Sequence, residues 1–171
     1  AEKMREVFRE IEAHVGRRLK PAWTDYKDAA ALYYGPARRR VWPGIVCPIP
    51  HGDCGGLHLA VNIEVEDYLY YGLVFYEEDC RQVPERVKEL ADAFPNRAWK
   101  DFIGGFKPRR DWWVWWSPLP GEGPVLDFKS CGGLYPELYD RDRFREILAR
   151  VLGELDAGIS FALKTGLWEE H

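Results

Sequence analysis

Six apolar residues near the start of the chain, Met4, Val7, Phe8, Ile11, Val15 and Leu19, recur at spacings of three and four, with Arg and Glu between them. That spacing makes one face of an amphipathic helix. Pro21 sets its end, because a proline ring clashes with the preceding turn. A second, shorter helix is predicted from Thr24 to Tyr34, with Thr24 or Asp25 as cap and Gly35-Pro36 as stop. The basic triplet Arg38-Arg39-Arg40 follows.

The period then changes to two. Val41 to Ile49 is an apolar run broken by Pro43 and Pro48, which suits an edge strand. His51 to Gly56 reads as a loop. Leu57, Leu59, Val61, Ile63 and Val65 alternate with His58, Ala60, Asn62, Glu64 and Glu66, the pattern of a strand with one buried face. A turn near Glu66-Asp67 leads into Leu69, Tyr71, Leu73 and Phe75, so the two runs predict a hairpin.

Pro84 to Phe94 reads as a helix, with Pro84 at the first helical position and Val87, Leu90, Ala91 and Phe94 inward. After Gly104-Gly105, Trp112 to Trp116 is predicted as a strand, Pro118 to Gly123 as a turn and Pro124 to Lys129 as another strand. Gly132-Gly133 interrupts the chain. Asp140 then caps a helix whose inner face is Phe144, Ile147, Leu148, Val151, Leu152 and Leu155. Ile159 to Leu163 either continues that helix past Gly158 or forms a short strand. The order α, α, β, β, β, α, β, β, α predicts a single α+β domain over residues 1–171. Its antiparallel or mixed sheet of about five Trp/Tyr-rich strands carries helices packed on it.

Composition narrows the function classes. A hydrophobic share of 46% suffices for a sizeable core, and 30% charged residues is a globular value. The net charge of −4 gives no global basic field to attract nucleic acid or membrane. No run of 18 apolar residues is present, so no transmembrane helix is expected. Ala1 to Lys20 is charged throughout and does not read as a signal peptide. The four cysteines, 47, 54, 80 and 131, are therefore expected as free thiols in a reducing cytoplasm.

Aromatics make up 15% of the chain, with eight Trp. Along Trp112 to Trp116, alternation sets Trp112, Val114 and Trp116 on one face and Trp113 and Trp115 on the other. Two readings fit: a central strand covered on both sides, or an exposed face that stacks nucleobases or holds a peptide beside Lys107, Arg109 and Arg110. Trp113 and Trp115 with those three cations form the candidate binding set, for a protein partner or nucleic acid. Cys47, His51, Cys54 and His58 carry side chains that zinc accepts, but their compact spacing matches no finger, and Cys47 shares a strand face with Ile45 and Ile49 as a core thiol would. No metal or cofactor is assigned to them.

One further constellation suits catalysis. Asp127 and Lys129 flank Phe128 on the predicted last strand and point to one face, with Asp111 upstream. Two carboxylates can hold Mg²⁺ to polarise a phosphate, and an ammonium can orient the attacking water. An Asp followed by strand, turn and strand with Asp-x-Lys resembles the signature of the PD-(D/E)XK nuclease superfamily. The resemblance spans about twenty residues and implies a metal-dependent nuclease with Asp111, Asp127 and Lys129 as catalytic residues. A symmetric turn around Pro120-Gly121 sets Asp127 opposite Val114, about 10 Å along the strand from Asp111. Without a bulge or an asymmetric turn that is too far for one metal, and the plainer reading is a surface Asp and a surface Lys on an amphipathic strand. The whole chain, with its alternating strand ending in Tyr71-Gly72-Leu73 and its Trp-rich strand, is also similar to the accessory C-terminal region of some bacterial nuclease-superfamily and phage-defence proteins. That likeness implies a binding or interaction domain without an active site of its own. This is the reading we carry forward, with the nuclease as the alternative.

Overall fold

The computed structural model describes residues 1–23, 43–54, 57–75 and 113–164. The helices predicted at Thr24–Tyr34 and Pro84–Phe94 lie outside them. Helix α1 runs Glu2–Val15, β1 Ala22–Trp23, β2 Gly44–Cys54, β3 Leu57–Val65, β4 Leu69–Phe75 and β5 Trp113–Pro118. A 3-10 turn at Tyr135–Tyr139 precedes helix α2, Arg141–Lys164. The strands pair in sequence order, β1-β2-β3-β4-β5, and every pairing is antiparallel. Helices packed on an antiparallel sheet make this an α+β fold.

Among the described residues the sheet has four full strands rather than about five, with β1 described over Ala22 and Trp23 alone. The predicted strand Pro124–Lys129 is not one of them. Its alternation survives, with Leu126 and Phe128 fully buried on either side of Asp127. Yet the segment makes only isolated bridges, Tyr68 to Asp127 and Leu126 to Gly133. Pro124 has no N–H to give a ladder, and the Asp127 side chain bonds its own following backbone, which turns the chain. The segment instead wraps the hairpin tip, where the Leu69 N–H donates to the Leu126 carbonyl at 3.0 Å and the Lys129 N–H to that of Asp67 at 3.1 Å. Gly133 closes the wrap at φ 57°, where a Cβ would stand 2.1 Å from the Val125 carbonyl oxygen.

The Trp-rich strand also differs from expectation. Among the described strands β5 is the last in the order. Leu73 pairs with Trp115 but Val74 pairs with Trp113, so one step on β4 matches two on β5. This bulge breaks the strict alternation predicted for Trp112 to Trp116. A larger irregularity falls on β2: from Pro48↔Ala60 to Asp53↔His58, five steps on β2 match two on β3. Part of the predicted loop His51–Gly56 is thereby strand, through Cys54.

Both helices share one face of the sheet. Met4, Val7, Phe8, Ile11 and Val15 of α1 and Ile147, Val151, Leu155, Ile159 and Ala162 of α2 join Ile45, Cys47, Val61, Ile63, Val65, Leu69, Tyr71 and Leu73 in one core. Each fully buried Val, Leu, Ile or Phe there stabilises the fold by about 1.5–3 kcal/mol relative to exposure. Helix α1 ends at Val15, but a turn through residue 18 lets Leu19 complete its stripe.

Helix α2 starts where predicted. Asp140 Oδ1 accepts from the N–H groups of Asp142 and Arg143, both at 2.9 Å. It then runs through Gly158, which decides between the two readings of Ile159–Leu163. Gly158 lies tight against the sheet, since a Cβ there would lie 2.5 Å from the Tyr71 ring. The Tyr71 hydroxyl donates to the Glu154 carbonyl at 3.4 Å one turn earlier. Between the helices, His14 Nε2 and Asp156 Oδ2 are 2.8 Å apart, and Arg18 donates to Ser160 Oγ at 2.9 Å.

Candidate functional site

The sheet face opposite the helices has a different composition. Register places Val46, Ala60, Asn62, Glu64, Tyr70 and Val74 on it, together with Trp116, which stands opposite Gly72. Val46, Ala60 and Val74 form a small buried apolar cluster. Toward the hairpin tip the face becomes polar and aromatic.

There, Glu64 pairs with Tyr70 across β3 and β4. Among the described residues its Oε1 accepts from Asn62 Nδ2 at 2.6 Å and its Oε2 from the Tyr70 hydroxyl at 2.8 Å. Asn62 is only 6% exposed, and among the described residues its Oδ1 has no hydrogen-bond partner. Burial, then the Glu64 charge and hydrogen bond, push the Tyr70 phenol well above its ordinary value. Tyr70 is therefore a fixed hydroxyl donor, not a nucleophile. Tyr68 is raised as well, by burial and then by the charges of Asp67 and Glu66.

Three rings meet beside this carboxylate. Tyr70 and Trp116 pack edge-to-face with centroids 5.7 Å apart, Tyr68 and Tyr70 likewise at 6.2 Å, and Tyr68 lies 6.1 Å from Trp116. Gly72 has no side chain, which leaves room on this face for the indole opposite it. All three rings are half-buried, and the turn residues Glu66 and Asp67 beside them are exposed. The arrangement can offer π-faces and negative charge to a ligand. Sequence reasoning missed Asn62, Glu64 and Tyr70, although the hairpin centred on Asp67 already sets 64 opposite 70 and 62 opposite 72.

The residues singled out from sequence fall elsewhere. Asp111, Lys107, Arg109 and Arg110 lie outside the described residues, and for Trp113 and Trp115 the description covers backbone pairing alone. Asp127 and Lys129 sit in the wrap at the hairpin tip, not on a strand. Asp127 Oδ1 accepts from the N–H groups of Lys129 and Ser130 at 2.9 and 2.8 Å, and Oδ2 accepts from the Ser130 hydroxyl at 2.6 Å. Partial burial pushes this carboxyl up. The hydrogen bonds from Ser130 and Lys129 and the Lys129 charge outweigh it and hold the group below the usual carboxylate range. Lys129 Nζ bonds to Asp67 Oδ1, which raises the ammonium above its ordinary value. Both groups are thus engaged in holding the turn.

Cys47 faces the helices within the core, where burial and then the Glu12 charge push its thiol up to about 12. It is an inert packing residue. For His51, Cys54 and His58 only backbone pairing is described, with Asp53 opposite His58 and Cys54 opposite Leu57. Among the described residues no three His, Cys, Asp or Glu side chains are grouped to hold a metal ion, and no helix is long and apolar enough to cross a membrane.

Comparison with known proteins leaves the site to be judged on this geometry, since no family model, no curated protein and no solved structure matches the chain.

Proposed function

We propose that the chain is a non-catalytic binding domain that meets a protein partner at the hairpin end of its sheet. The observation that carries this reading is the half-buried cluster of Tyr68, Tyr70 and Trp116 beside Glu64, Glu66 and Asp67. Tyr and Trp are enriched among the residues that carry most of the energy at protein interfaces, and Lys129 pairs with only one of the carboxylates beside them, Asp67, so the cluster keeps an acidic balance that disfavours a phosphate backbone. Nucleic acid, through Lys107, Arg109 and Arg110, is therefore the second partner class. The nuclease alternative needs Asp127 and Lys129 for Mg²⁺ and water, whereas three turn hydrogen bonds and Asp67 already engage them.

Photo-crosslinking tests the surface. A benzophenone side chain in place of Glu66 is expected to capture one defined protein in the native cell, while the same probe at the exposed Arg141 captures none. Equal capture at both positions, or none at 66, overturns the reading. Labelled single- and double-stranded DNA with Mg²⁺ or Mn²⁺ tests the alternatives. Tight binding abolished by reversing the charges of Lys107, Arg109 and Arg110 favours nucleic acid. DNA shortened by the native chain but not by Asp127→Asn establishes the nuclease.

A further inference from the structure

We draw no further inference here: the strongest candidate, the part-buried Asn62–Glu64 polar pair on the sheet face opposite α1 and α2, belongs to the site already described, and nothing among the described residues shows what covers it.

Discussion

The two faces of this sheet use the same strands for different ends. On the helix face, Val61, Ile63, Val65, Leu69, Tyr71 and Leu73 are buried against α1 and α2. On the opposite face the alternate residues of the same two strands are Ala60, Asn62, Glu64, Tyr70, Gly72 and Val74. One face is a largely apolar surface packed under the helices. The other mixes a buried amide, a carboxylate with two donors and three clustered rings. Burial there does not follow apolarity, since the amide of Asn62 is as buried as its apolar neighbours Val46 and Val74.

The largest effect is expected from breaking the helix face. Phe8→Ala empties a fully buried site between α1 and the sheet and is expected to cost about 3–5 kcal/mol, read from urea unfolding. A loss under about 1 kcal/mol would mean that α1 is not seated there.

Tyr70→Phe tests the opposite face. It removes a hydroxyl that donates to Glu64 and is expected to cost about 1.5–3 kcal/mol in the same assay, as for hydrogen bonds to charged groups. An unchanged urea midpoint would show that the Glu64 carboxylate is satisfied without it.

Two glycines of α2 sharpen the contrast further. Gly158→Ala forces a methyl into the Tyr71 ring and is expected to destabilise by about 1–3 kcal/mol. Gly153→Ala, at an exposed position where a Cβ meets nothing within 4 Å, is expected to stabilise by about 0.5–1 kcal/mol through helix propensity. Thermal melts of the two variants should therefore move in opposite directions. If both move the same way, the sheet contact of α2 is misplaced.

The smallest effect belongs to the turn. Asp127 titrates below the ordinary carboxylate value in the folded chain. Its contribution to stability is therefore complete above the unfolded pKa and is lost as pH falls through the lowered folded one. The stability difference between the native chain and Asp127→Asn, followed from about pH 6 to about pH 2, is expected to narrow on acidification. A constant difference would mean that the carboxylate form is not what the turn selects.

Much of the fold was legible. The 3-4 spacing of Met4 to Val15, the alternation of Val61 to Val65 and the Asp140 cap each correspond to the element found. Pro124–Lys129 misled because its alternation comes from packing Leu126 and Phe128 under the hairpin, not from a ladder. Trp113 to Trp116 misled because a bulge changes the face without changing the composition. The candidate site was the least legible part. Asn62, Glu64 and Tyr70 are ordinary polar positions in a half-buried hairpin, and nothing in their types shows that a carboxylate between them collects two donors.

The sequence by itself determined the two periodicities, the hairpin centred on Asp67 and the apolar faces, because these rest on local geometry and on which side chains avoid water. Only the tertiary structure decided strand order, the bulges, the passage of α2 through Gly158 and the engagement of Asp127 and Lys129 by neighbours. Those depend on which backbone groups find partners from distant segments, and a residue type names its own hydrogen-bonding capacity but not the partner that takes it.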